Sequence, residues 1–187
     1  FKIYGQFIIL KKLKNVKVAI LAENGFEEVE LTSPKKVLEE QGADVTIVSP
    51  RSGNIKSWKG ENWGQSLNVD LQVASASAED FDALMIPGGV ANPDLLRRDE
   101  DSVNFAKDFF TSGKPIASIC HGPQMLIEAG VVKGRNLTSY HSINTDLKNA
   151  GAHWKDEEVV TDENLITSRN PNDLPAFNSK IIEFLST

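Results

Sequence analysis

Short apolar runs alternate with helix-patterned segments along most of this chain, and that alternation constrains the fold more than any other feature. The runs lie at 16–22, 44–49, 69–73, 83–86, 115–119, 159–160 and 165–167. Helical patterns fall at 27–41, 94–111, 122–129, 143–149 and 174–185, and Gly42 and Gly113 close the first two. Residues 51–68, punctuated by Gly53, Gly60 and Gly64, read as a loop or hairpin. A further short run spans 136–139. Strands that alternate with helices build βαβ units, and those units give a mainly parallel sheet covered on both faces. In such a sheet the site lies outside the carboxyl ends of the strands. Three loops follow strand ends here: Glu23-Asn24-Gly25, Pro87-Gly88-Gly89 and Cys120-His121-Gly122. One shared cleft is expected from them.

Cys120 is the only cysteine in 187 residues. An apolar strand runs directly into it and a helical segment follows, the arrangement of a nucleophile elbow, in which the side chain is held strained and exposed. Backbone N–H groups at the start of that helix, with its dipole, are expected to favour the thiolate. A small buried core cysteine is the alternative, but the residues that follow are His-Gly-Pro rather than more core. The N–H groups of His121 and of Gly88 or Gly89 are candidate oxyanion-hole donors; a plain tight turn at Gly88-Gly89 stays open. His121 is either a general base or an elbow residue that contributes only its N–H. His141 and His153 read as polar loop residues. Glu27, Glu28 and Glu30 open the first helix, where acidic side chains suit the helix dipole. Glu27 and Glu30, at i and i+3, share a face, while Glu28 points elsewhere. A carboxyl beside a thiolate would have its pKa raised and could remain a proton donor.

Composition excludes several classes. Hydrophobic residues make up 40% and charged residues 25%, ordinary for a globular domain. A net charge of −6 disfavours nucleic acid as a partner. No stretch approaches the roughly 20 apolar residues of a membrane span. One cysteine and three histidines, scattered along the chain, offer no zinc-ligand spacing, and no phosphate-binding glycine motif occurs, so neither metal nor cofactor is expected. A lone cysteine with no recognisable export signal suits a reducing cytoplasm. Residues 1–14 are expected to be an N-terminal extension without function, from an upstream start, that could pair as an edge strand; residues 15–187 form a single domain.

Several stretches together resemble the ThiJ/PfpI superfamily, specifically its PfpI-type intracellular protease and protein deglycase branch. They are Val18-Ala19-Ile20-Leu21, Gly25-Phe26-Glu27-Glu28-Val29-Glu30-Leu31, Phe81 through Gly89, Gly113 through Pro123, Thr167-Ser168-Arg169-Asn170-Pro171 and Asp173-Leu174-Pro175-Ala176-Phe177. The resemblance implies an α/β, flavodoxin-like three-layer sandwich with a mainly parallel central sheet, similar to class I glutamine amidotransferases. The downstream His-x-Glu of those amidotransferases is missing. It implies that Cys120 is the nucleophile, that Glu30 hydrogen-bonds its thiolate, and that His121 belongs to the catalytic triad. The third triad member in this branch is an acid from a neighbouring subunit, and its match is Asp94. The archaeal pattern has glutamate there, on a loop one residue shorter. Tyr140 stands where other branches carry a histidine. Homo-oligomers, dimers or hexamers, are implied as partners. The implied activity is cysteine-dependent hydrolysis of reactive dicarbonyls or glycated protein adducts, of the glyoxalase III or deglycase kind. An intracellular cysteine peptidase and a non-enzymatic redox or chaperone-like stress protein are the alternatives.

Overall fold

The computed structural model describes residues 10–187. Its central sheet has seven strands among the described residues. Five are parallel neighbours: β1 (Lys17–Leu21), β3 (Asp44–Ser49), β7 (Ala83–Ile86), β8 (Ile116–Ile119) and β12 (Leu165–Ser168). Short β6 (Leu71–Gln72) closes one edge in parallel, and β11 (Val159–Asp162) closes the other antiparallel to β12. The order across the sheet is β11-β12-β8-β7-β1-β3-β6. A separate small sheet pairs β2 (Phe26–Glu27) with the hairpin β4 (Asn54–Lys59) and β5 (Asn62–Asn68); β9 (Asn136–Leu137) pairs β10 (His153–Trp154).

The strand period of two splits the core into two layers. Val18 and Ile20 of β1 face one side, with Val45, Ile47, Met85 and Ile119. They pack under α1 (Glu28–Glu40) and α6 (Leu174–Leu185). Ala19 and Leu21 face the other side, with Leu84, Ile86, Phe105 and Phe109. Over them lie α2 (Ala91–Arg97), α3 (Glu100–Thr111), α4 (Pro123–Glu128) and α5 (Asn144–Asn149). The expected helix over 94–111 is therefore two helices. Asp99 breaks it: its backbone is extended, and its carboxylate accepts the Ser102 N–H at 2.8 Å and the Ser102 hydroxyl at 2.6 Å, capping α3. The first helix starts one residue later than expected, because Glu27 belongs to β2.

Part of the expected extension packs on the domain. Leu13 is fully buried, and its N–H donates to the Gln41 carbonyl at 2.9 Å. The expected edge strand falls chiefly on residues 1–9, outside the described residues. Among the described residues no helix is long and apolar enough to cross a membrane.

Candidate active site

β8, β7 and β1 are adjacent in the sheet, so the three loops singled out in the sequence converge at one edge. Cys120 follows β8 directly with φ +62°, a left-handed conformation that costs a non-glycine residue about 1–3 kcal/mol. Two hydrogen bonds hold it there. Its N–H donates to the Ser168 carbonyl at 3.1 Å, and its carbonyl accepts the Tyr140 N–H at 2.8 Å. The side chain is buried rather than exposed, with 7% of its surface accessible.

Glu30, on the first turns of α1, is fully buried beside that sulfur. Its Oε2 accepts the Gly88 N–H at 2.9 Å, while among the described residues its Oε1 has no nitrogen or oxygen partner. A Cβ on Gly88 would strike the Glu30 carboxylate and approach the Cys120 Cβ to 2.6 Å, so only glycine lets the three meet. Burial, opposed by the bonds from Cys120 and Gly88, raises the Glu30 pKa to about 8. At neutral pH the carboxyl is thus protonated, and Oε1 is free to donate toward sulfur.

The thiol departs from expectation. Burial, and then the Glu30 carboxylate when it is ionised, push it above its ordinary value. The N–H groups of Gly89 and His121 do point at the sulfur and pull the other way, but desolvation outweighs them. Of the three backbone donors proposed for an oxyanion, Gly88 is engaged by Glu30, which leaves Gly89 and His121 facing the sulfur.

His121 folds back onto its neighbour: Nδ1 lies 3.3 Å from Cys120 Sγ, and Nε2 lies 3.2 Å from the Ser142 hydroxyl. Its ring stacks on Tyr140, with centroids 4.9 Å apart. Burial, and then the charge of His141, lower its pKa, which keeps it neutral and able to accept a proton. No sequence motif marked Ser142 as its partner, because a surface serine in a polar loop has no distinguishing pattern.

Asp94 does not join this cluster. It lies exposed on α2, away from the cavity that opens over Cys120. His153 is exposed on β10, also outside that cavity. The cavity measures about 700 Å³. Glu27 and Glu30 both line it, although Glu27 does so from β2 rather than from the expected shared helix face, and Trp58 and Trp63 reach it from the hairpin. Glu28 points to that hairpin instead. It accepts the Ser57 hydroxyl at 2.7 Å and the Gln65 N–H at 3.1 Å, and pairs with Lys59 at 3.2 Å. Among the described residues no three His, Cys, Asp or Glu side chains group to hold a metal ion.

A strained cysteine between a parallel α/β sheet and a helix, backed by a buried carboxyl and a neutral imidazole, defines a class of cysteine-nucleophile α/β sandwiches. The chain belongs to the DJ-1/PfpI family, whose model matches residues 16–184. It is 46% identical over 169 residues to YraA of Bacillus subtilis, named as a candidate cysteine protease, covering 90% of this chain and 98% of that one. It is 44% identical over 170 residues to protein/nucleic acid deglycase 2 of Escherichia coli, covering 90% and 97%. A solved two-domain Anabaena variabilis protein, with dj-1/thij/pfpi-like and ferritin-like domains, superposes with a TM-score of 0.86 at 39% identity. That match covers 91% of this chain and 48% of the longer one.

Proposed function

We propose that this chain is a cysteine-dependent deglycase that removes reactive dicarbonyls from their early adducts and releases a hydroxy acid. The observation that carries this reading is the proton inventory around Cys120. A neutral imidazole sits 3.3 Å from the sulfur and a protonated carboxyl lies behind it, so one group takes a proton while the other can give one.

His121 accepts the thiol proton as Cys120 adds to the carbinol carbon of an amine adduct. The new C–S bond replaces the C–N bond, and the amine leaves with a proton. A proton then moves from that carbon to the neighbouring carbonyl carbon through an enediol, which turns the hemithioacetal into a thioester. The Gly89 and His121 N–H groups supply donors for the developing oxygen charge. Water hydrolyses the thioester, returning the thiol and releasing the hydroxy acid. Free dicarbonyl enters the same sequence at the hemithioacetal. Several relatives are named deglycases, which supports this reading. A reducing, cytoplasmic setting and assembly into homo-oligomers belong to it.

The test is lactate release from a methylglyoxal adduct of N-acetylarginine and from free methylglyoxal, with a fluorogenic peptide alongside. The natural protein is expected to form lactate, and Cys120→Ser is expected to lose it by at least about a hundredfold, since no other side chain near the site replaces the nucleophile. Peptide cleavage without lactate would replace this reading with a peptidase. Silence in both assays would move the role of Cys120 to oxidation.

A further inference from the structure

The cavity is far larger than the fragment Cys120 would carry. Pockets of roughly 300–1,000 Å³ suit drug-sized molecules, and this one measures about 700 Å³. A three-carbon dicarbonyl leaves most of it empty. Trp58 and Trp63 border the cavity from the β4–β5 hairpin, their ring centroids 5.4 Å apart at 84°. Trp63 is 53% exposed, and the Lys56 ammonium sits 5.7 Å from its ring centroid, within cation–π range.

The hairpin is built in place. The buried Glu28 latch ties Ser57, Lys59 and Gln65 to the first turn of α1, the turn that carries Glu30 and directly follows Glu27 of β2. Gly64 lies so close to Glu28 and Ser57 that a Cβ there would collide with both. The ionisable residues on the cavity wall are Glu27, Glu30, Cys120, His121 and Tyr140; among the described residues no lysine or arginine lines it. Glu27 is half-buried there, and among the described residues no hydrogen bond engages its carboxyl.

We infer that Trp58, Trp63 and Glu27 form a subsite for the carrier group of the adduct, selecting a guanidinium-bearing side chain over a free dicarbonyl or a nucleotide. A guanidinium is planar, stacks on indole and pairs with a carboxylate. Against a nucleotide phosphate stand Glu27 and Glu30 on the cavity wall, although Lys56 lies over the Trp63 ring. The inference rests on the deglycase reading for its substrate, but the subsite can be tested without turnover.

The binding test uses Cys120→Ser protein and tryptophan fluorescence, titrated with N-acetylarginine amide and with its neutral isostere N-acetylcitrulline amide. Arginine is expected to bind about tenfold more tightly. Trp63→Ala should abolish that preference, Trp63→Phe should keep most of it, and Glu27→Gln should weaken it. Trp63 is half exposed on a hairpin, so its replacement leaves the core intact. Equal binding of the two amides, or a preference that survives Trp63→Ala, overturns the subsite. In the turnover arm, the ratio of kcat/KM for the N-acetylarginine adduct to that for free methylglyoxal should fall about tenfold in Trp63→Ala, chiefly through KM. An arginine preference without adduct turnover would defeat the deglycase reading and sustain the subsite. Adduct turnover with an unchanged ratio would do the reverse.

Discussion

At the scale of single residues, the site is governed by where charge is not. Glu30 is fully buried with its pKa raised to about 8, against 4.5 for the free side chain. The unfolded carboxyl ionises near the lower value, while the folded one stays protonated up to the higher. Stability contributed by the neutral buried carboxyl is therefore complete below about pH 4.5. It falls as pH rises, and levels off above about 8. The slope is roughly 1.4 kcal/mol per pH unit in that window. Glu30→Gln keeps the shape and removes the titration, so its melting temperature is expected to overtake that of the natural protein progressively between pH 5 and 8; parallel curves across that range would contradict the assignment. The same variant should lose the alkaline limb of the kcat/KM profile along with most activity, because the amide cannot deliver the carboxyl proton. Cys120, His121 and Glu30 were legible in the sequence because motif and strand position mark them. The direction of the thiol shift was not, because it depends on how much protein covers the sulfur, and burial at a loop is a product of the whole fold.

At the scale of elements, the β4–β5 hairpin depends on one carboxylate for its seat. The Gln65 N–H, the Ser57 hydroxyl and Lys59 all lower the Glu28 pKa, so this side chain is ionised at neutral pH. Removing it leaves the Ser57 hydroxyl, which is buried, without its acceptor. Glu28→Ala is expected to speed amide hydrogen exchange across residues 54–68 by an order of magnitude or more while leaving β1 and β7 protected; uniform loss of protection would mean that the hairpin is not an independent unit. The elements themselves were largely readable. Continuous apolar runs marked the central strands, and of the loop or hairpin that the glycines at 53, 60 and 64 left open the structure has the hairpin. The break at Asp99 was missed because helix-forming residues surround it, and only the Ser102 hydrogen bonds reveal the cap. The aromatic wall was missed as well. Trp58 and Trp63 meet the site only through the pairing of β4 with β2, a contact between segments some thirty residues apart.

At the scale of the whole molecule, the sheet order brings the three candidate loops together and leaves Asp94 outside. The acid that the family resemblance assigns to His121 is exposed on α2, and within one chain the Nε2 of His121 faces Ser142 instead. Val90, at the start of α2 and on the rim of the cavity, is 71% exposed. An apolar side chain left so open beside an unused acid suits a surface that a second copy covers. If Asp94 serves the partner's site, a hybrid holding one Asp94→Ala subunit and one Cys120→Ser subunit retains one complete site: the Asp94→Ala subunit supplies Cys120 and His121, and the Cys120→Ser subunit supplies Asp94. Each variant alone is expected to be impaired, while an equimolar mixture, unfolded and refolded together, should recover up to about a quarter of natural activity, since half of random dimers are hybrid and each has one working site. Light scattering on the same samples must show an assembly larger than one chain. Mixtures no more active than the average of the two variants, or a protein that remains monomeric at working concentration, would confine the chemistry to the residues of a single chain and leave Ser142 as the partner of His121.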